Sequence, residues 1–233
     1  MSPGGFAPIQ DVNALFSTAR KRAWRSCHDC RMPDGADMRI MTERMPSDLT
    51  AIPDAESLAG LAGAIPGLMG DLRSDHAGET GAVMIYLGIL AGARSARIRD
   101  FARAHLVTER QHLAQFAALL PRTQRSVLLP LWRVAGWLTG FLPALVGERA
   151  VFLTIDAVET FVDHHYEAQL RKLPAQGQGG ALRSLLMACQ ADEVHHRDEA
   201  RTATMAPAGM LTHLWRWLVG TGSAVAVAAA RRV

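Results

Sequence analysis

The chain has 233 residues, enough to bury a core in one large domain or two small ones. Hydrophobic residues make up 49% and the mean hydropathy is +0.06, which is apolar for a soluble protein but short of a multi-span membrane protein. The net charge of +3 comes without any basic run interleaved with aromatics, so nucleic acid is excluded as an expected partner; the three cysteines, Cys27, Cys30 and Cys189, make no disulfide framework and fit a reducing compartment.

Residues 1–65 carry Gly, Pro and mixed charge with little sustained periodicity. They are expected to form a mobile N-terminal extension with a short helix near 10–25. The opening "MSPGGFAPIQ" has neither a basic n-region nor a long apolar h-region, so no secretory signal is read there. "CHDC" at 27–30 has the spacing of a redox or zinc half-site, but no second pair follows.

From residue 66 to 233 the pattern is helical, with no strand alternation. The periodicity predicts helices near 67–95, 98–119, 129–145, 148–172, 179–202 and 209–230. The breaks carry Pro121, Pro143 with Gly147, Pro174 through Gly180, and Pro207 with Gly209. The expected fold class is all-α: a four-helix bundle with two additional apolar helices. Those two cover 127–146 and 214–233, each near the roughly 20 residues that a membrane span requires. The first contains Pro130, Arg133 and Pro143, and the second is bounded by Arg216 and Arg231, so contact with a membrane surface is expected rather than a crossing.

Residues spaced alternately by three and four share a helical face. In "ADEVHHRDEA", 191–200, the face Leu182, Leu186, Cys189, Glu193, His196, Ala200 is otherwise apolar, whereas Ser184, Ala188, Asp192, His195, Glu199 reads as solvated. Glu193 and His196 are therefore expected to point inward. The same construction gives Phe101, His105, Glu109, His112, Phe116 on an earlier helix. Two further faces, Leu72, His76, Glu79, Val83, Tyr86, Leu90 and Phe152, Ile155, Glu159, Val162, Tyr166, Leu170, each drive one glutamate inward.

Burying an isolated carboxylate costs several kcal/mol, against a total stability of roughly 5–15 kcal/mol. No Lys or Arg lies on these faces to compensate four of them. Metal ions would supply the charge, with the histidines as neutral ligands. One Glu from each of two helices plus Glu-x-x-His from each of two others is the ligand set of ferritin-like di-iron carboxylate bundles. The two halves repeat, with 30 residues from Glu79 to Glu109 and 34 from Glu159 to Glu193. Mixed oxygen and nitrogen ligands suit iron or manganese.

From about Asp71 onward the sequence resembles the demethoxyubiquinone hydroxylase family of ubiquinone biosynthesis. The resemblance rests on "LRSDHAGETGA" at 72–82, "ERQH" at 109–112, "LPLWRVAGWLTG" at 129–140, "AVETFVDHHY" at 157–166 and "DEVHHRDEA" at 192–200. It implies a ferritin-like monooxygenase with two Fe ions per chain, held by Glu79, Glu109, His112, Glu159, Glu193 and His196, with Glu109 and Glu193 bridging. No catalytic residue beyond these ligands is implied. His165, Tyr166 and Tyr86 are candidates for supporting the ligands or lining the substrate pocket. The implied reaction is O2-dependent ring hydroxylation of a polyprenylated demethoxyubiquinol, a 2-polyprenyl-3-methyl-6-methoxy-1,4-benzoquinol. The implied location is peripheral, on the cytoplasmic side of the bacterial inner membrane or the matrix side of the mitochondrial one, beside other ubiquinone-biosynthesis proteins. The alternatives are a ferritin-like iron-oxidising or peroxide-handling protein, and a non-catalytic lipid-binding scaffold. No GxGxxG nucleotide fingerprint is present.

Overall fold

Glycine and proline set the helix limits. The computed structural model describes residues 53, 55–174, 179–204 and 209–233. The helices are α1 (Ala55–Ala64), α2 (Leu68–Gly92), α3 (Ala96–Leu119), α4 (Leu129–Val146), α5 (Glu148–Leu170), α6 (Gly180–Ala203) and α7 (Met210–Ala230), with a 3-10 turn at Arg122–Gln124. The fold is all-α, and among the described residues there is no strand. Gly67 precedes α2 at φ +82°. Gly147 alone links α4 to α5 at φ +138° and ψ −178°, a conformation essentially reserved for glycine. Pro130 falls in the first turn of α4, where its missing N–H has no intrahelical partner to lose. Pro143 lies inside the last turn of that helix rather than beyond it. Its carbonyl accepts the Gly147 N–H at 3.0 Å, so the helix closes one turn later.

The chain divides into two units, Met1–Pro46 and Ser47–Val233, and all described residues belong to the second. The short helix expected near 10–25 and the Cys27/Cys30 pair lie outside the described residues. An extension reaching residue 65 is not what forms at its far end. There α1 packs Leu58 and Leu61 into a core with Leu72, Phe116 and Leu182. Its sequence, AESLAGLAGA, carries only two large apolar side chains, too few to register as a periodic face.

Cross-helix bonds fix the topology of the bundle. Asp75 meets Gln169, Glu79 meets Tyr166 and Tyr86 meets Glu159, so α2 and α5 run antiparallel. His105 meets Glu199 and His112 meets Asp192, so α3 and α6 do likewise. Two apolar clusters flank the centre, one around Leu72, Phe116 and Leu186 and the other around Ile89, Phe101 and Phe152. The helix α4 is the crossover between the two halves and packs on α2 and α5, while α7 packs on α5 and α2. Ion pairs onto two buried carboxylates pin α7 near both ends: Arg216 on Asp156, and Arg231 on Asp71 at 2.7 Å, where Lys172 also bonds Asp71 at 2.8 Å.

Glycines bring α2 and α4 to backbone contact. A Cβ on Gly140 would overlap the Ile85 carbonyl, one on Gly88 the Trp137 carbonyl, and one on Gly136 the Gly81 carbonyl. With this small-residue face against α2, α4 turns Leu131, Val134, Leu138, Leu142 and Leu145 outward, all exposed. On α7, Leu214, Trp217, Leu218 and Val225 are exposed as well.

Gly140→Ala forces the α2–α4 backbones apart and is expected to destabilise the protein by about 1–3 kcal/mol. Gly220→Ala, where a Cβ meets nothing within 4 Å, is expected to be neutral or to stabilise by up to about 1 kcal/mol through helix propensity. Thermal melting of the two variants side by side checks the pair; equal melting temperatures would remove the close-packing argument.

Candidate metal centre

Each of the six inward-facing side chains reaches the bundle centre because its helix buries the face that carries it. Glu79, Glu109, His112, Glu159, Glu193 and His196 are all at most 4% exposed. They form two groups, Glu79, Glu109, His112, Glu193 and Glu109, Glu159, Glu193, His196, and each group offers ligand atoms within 4.8 Å of one another. Glu109 and Glu193 belong to both. The exposed and buried faces of α6 divide as expected, with Asp192 and His195 exposed and Glu193 and His196 buried.

The atoms of this cluster converge on one small volume. His196 Nδ1 lies 3.0 Å from Glu109 Oε1, and His112 Nδ1 lies 3.1 Å from Glu193 Oε1. Yet His112 Nδ1, His196 Nδ1, both Glu109 oxygens and Glu79 Oε2 are buried with no hydrogen-bond partner among the described residues. Orphaned buried polar atoms are costly, and five of them aimed together need a common partner. A metal ion would be such a partner: carboxylate oxygen and imidazole nitrogen are the donors divalent iron or manganese takes.

The side chains around the cluster hold it by hydrogen bonds. Tyr166 Oη donates to Glu79 Oε1 at 2.5 Å, and Tyr86 Oη donates to Glu159 Oε1 at 3.3 Å. Each tyrosine lies seven residues beyond the glutamate on its own helix and bonds the glutamate of the other. Burial and the facing carboxylates push both phenols well above their ordinary range, so they remain protonated donors. Asp192, although exposed, pairs with His112 Nε2 at 3.1 Å. A carboxylate behind a histidine fixes the ring and its tautomer, and supports metal ligation by the other nitrogen. His105 stacks edge-on against His196, ring centroids 4.1 Å apart, and bonds Glu199 at 3.0 Å. Asp198, two residues beyond His196, pairs with the Arg197 guanidinium at 2.9 Å. His76 is buried one turn before Glu79, where burial and the charges of Arg125 and Arg133 lower it to about 4. Cys189 is a buried thiol.

A cavity of about 400 Å³ meets the cluster from the side of α2 and α5. Its walls are mostly apolar and small, with Gly78, Gly81 and Gly136 beside Trp132, Val158 and Leu218. Glu79, Glu109, Glu159, Glu193 and Tyr166 line it, as do Ser74, Asp75 and His165. His165 Nε2 stands 2.9 Å from Asp75 Oδ1, and Gln169 donates to the same oxygen at 2.6 Å. Burial pushes the Asp75 carboxyl up, while His165 and Gln169 pull against that shift.

The match to a known family spans most of this unit. Residues 67–230 fit the family model described as "Ubiquinone biosynthesis protein COQ7". A "3-demethoxyubiquinol 3-hydroxylase" of Rhodospirillum rubrum is 40% identical over 143 residues, 59% of this chain and 66% of the relative. A mitochondrial "NADPH-dependent 3-demethoxyubiquinone 3-hydroxylase" of Dictyostelium discoideum is 36% identical over 128 residues, 54% of this chain and 59% of the relative. A Caenorhabditis elegans protein with the same printed name is 29% identical over 166 residues, 70% of this chain and 88% of the relative. The chain thus spans 59% and 66% of the lengths of the first two relatives.

Without metal, the cluster takes up protons. Burial and the neighbouring Glu193 push Glu109 up to about 8, and burial pushes Glu159 well above its ordinary range. Burial opposes charge on His196, but Glu109 and Glu193 outweigh it and raise the ring to about 9. Glu193, which burial alone would raise, is drawn down to about 2 by the two histidines. For Glu109 and His196 the folded state binds more protons than the unfolded one, from each group's unfolded pKa up to its folded pKa. Metal-free stability is therefore expected to fall as pH rises from about 5 to 9. Glu193 contributes in the opposite sense, losing its stabilisation only as pH drops from about 4.5 toward 2. Adding Fe(II) at pH 7 is expected to release protons and flatten the upper limb. Melting against pH, and titration calorimetry in buffers of different ionisation heat, measure both effects; metal uptake without proton release would contradict the assignment.

Proposed function

Since the chain belongs to the COQ7 family of ubiquinone-biosynthesis proteins, we propose that it is an O2-dependent di-iron monooxygenase that hydroxylates the ring of a polyprenylated demethoxyubiquinol. The observation that carries this reading is one arrangement: two overlapping groups of four candidate ligands share Glu109 and Glu193, and their four glutamates line a mostly apolar cavity of about 400 Å³. Glu79 and His112 would hold one iron and Glu159 and His196 the other, with Glu109 and Glu193 in reach of both. Four carboxylates and two neutral imidazoles then balance two divalent ions. When bound, the iron pair supplies the reduction and activation of O2.

The chain's own residues position and protect. Tyr166 and Tyr86 fix the rotamers of Glu79 and Glu159, Asp192 fixes the ring of His112, and the ring of His105 limits the motion of His196. The cavity, with Val158, Ile85 and Trp132 among its walls, offers a mostly apolar berth for a flat ring beside the carboxylates. The printed names of the relatives, a demethoxyubiquinol hydroxylase in one and a demethoxyubiquinone hydroxylase in another, support a substrate of this class.

A polyprenyl tail requires access from a bilayer, and the outward faces of α4 and α7 support docking on one. By length and composition α4 is apolar enough to cross a membrane, with only 22% of it buried. Its glycine face, however, is committed to α2 along its length. A helix held in this way lies on a membrane surface with Leu131, Leu138 and Leu145 toward the lipid. We place it on the cytoplasmic side of a bacterial inner membrane, or the matrix side of a mitochondrial one, in reach of other ubiquinone-biosynthesis proteins.

A single-turnover assay of the Fe(II)-loaded protein with a short-tailed demethoxyubiquinol and O2 tests this, read by mass spectrometry. The expected product is heavier by one oxygen atom. It should be lost in Glu193→Ala and Glu109→Ala and retained in His195→Ala, whose side chain is 73% exposed. An unmodified ring alongside rapid iron oxidation would replace the hydroxylase by a ferroxidase.

A further inference from the structure

One polar group on the cavity wall is used neither by the carboxylate cluster nor by its supports. Asp75 lies on α2 four residues before Glu79, about 6 Å along the axis, and its side chain is completely buried. Its two oxygens are treated differently. Oδ1 receives the Gln169 amide at 2.6 Å and stands 2.9 Å from His165 Nε2. Oδ2 is buried with no hydrogen-bond partner among the described residues. Asp75, His165 and Ser74 all line the cavity that ends on Glu79.

A buried acceptor left unpaired costs the free energy of its lost hydration. The Gln169 amide ends on Oδ1 and His165 Nε2 stands beside it; both favour the ionised carboxylate against the burial that raises it, and they leave Oδ2 as the free acceptor. The cavity walls are mostly apolar and none of their polar groups bonds Oδ2, so a donor for it would come from what enters the cavity. Trp132, on the α4 wall of the same cavity, offers the complement: a buried Nε1–H that lacks an acceptor among the described residues. One acceptor and one donor, both unused, describe a ring that carries a hydroxyl and an ether or carbonyl oxygen.

We propose that Asp75 Oδ2 is the hydrogen-bond acceptor that selects the hydroxyl-bearing, reduced form of the ring substrate over its quinone. The inference rests on the ring-substrate reading above and names the group that decides the ring's redox form. A quinol hydroxyl donates to Oδ2 and satisfies it. A quinone presents only carbonyl oxygens, which place acceptor against acceptor. Sites built to bond a hydroxyl discriminate strongly against analogues lacking one, because the buried partner is then left unpaired. His165 and Gln169 act as positioning residues, since they fix Asp75 by its other oxygen. No electron passes in this step, and the hydroxyl proton stays shared between the ring and the carboxylate.

Equilibrium binding to the full chain loaded with Zn(II), which neither reduces a quinone nor oxidises a quinol, provides the test. The probes are a short-tailed demethoxyubiquinol and the corresponding quinone under argon, read by quenching of tryptophan fluorescence. The wild-type protein is expected to bind the quinol at least about tenfold more tightly. Asp75→Asn, which can turn an amide donor toward the ring, should bring the ratio to about one or invert it. A melting temperature close to wild type establishes that the variant folds. Equal affinities in the wild type, or a quinol preference that survives in a folded Asp75→Asn, overturn the proposal while leaving the hydroxylase reading intact. Failure of both probes to bind overturns the two together. The wild-type comparison needs no variant, so a misfolded Asp75→Asn does not shelter the idea.

Discussion

Four carboxylates buried in one place are the constraint on which the rest of this molecule depends. Glu79, Glu109, Glu159 and Glu193 sit between two apolar clusters, each at most 4% exposed. Alone, they would repel one another and forfeit their hydration, a cost comparable to the entire stability of a domain. In the metal-free cluster, protons and the two histidines offset part of it, which is why Glu109 rises and Glu193 falls in pKa although both are fully buried. Several neighbouring polar groups answer to the same demand. The tyrosines bond the terminal carboxylates, and Asp192 bonds the back of His112.

The sequence made the cluster legible because helical periodicity is strict where a face is buried. Glu79, Glu109, Glu159 and Glu193 each interrupt an apolar stripe, and all six expected side chains meet at the centre. The misses share one cause. A stripe that advances by three or by four residues passes through one of two positions per turn, although a broad buried face includes both. Choosing His76, three before Glu79, passed over Asp75, four before it. Choosing Leu170 after Tyr166 passed over Gln169. Asp192 and Glu199 fell on a face that is solvated in fact, yet each reaches back to a buried histidine. Such bonds depend on how α3 and α6 are set against each other, and no single-helix pattern contains that information. The helix α1 was missed for a different reason: it has too little apolar surface to show a period, and its order comes from the core it covers.

The same central demand shapes the outer helices. A cavity can reach the carboxylates only if some helix stands away from the centre while still packing closely. The α2–α4 contact achieves this with glycine at Gly88, Gly136 and Gly140, so the backbones touch and the side chains of α4 are released to the opposite side. Those released side chains are the exposed leucines and valines. One choice of small residues therefore both narrows the α2–α4 interface and creates the outward apolar face. Along α7 the pins at Asp156 and Asp71 hold Gly222, Ser223 and Ala226 against the cavity, where larger residues would fill it.

The two halves of the bundle repeat in their ligands but differ in what stands behind them. Four residues before Glu109 is His105, whose ring packs on His196; four residues before Glu193 is Cys189, whose thiol faces Gln115. His112 is backed by the Asp192 carboxylate, whereas His196 is backed by the neutral ring of His105, which burial and its histidine neighbours lower to about 3. An anionic partner makes an imidazole a stronger donor through its other nitrogen, and a neutral ring does not. The two groups of candidate ligands are consequently inequivalent, with the Glu79/His112 side the more electron-rich. That is also the side whose glutamate lies one turn from Asp75 on α2. A ring anchored at Asp75 would thus meet the more electron-rich position first, and the break in the internal repeat gives the centre a direction that four equivalent glutamates would lack.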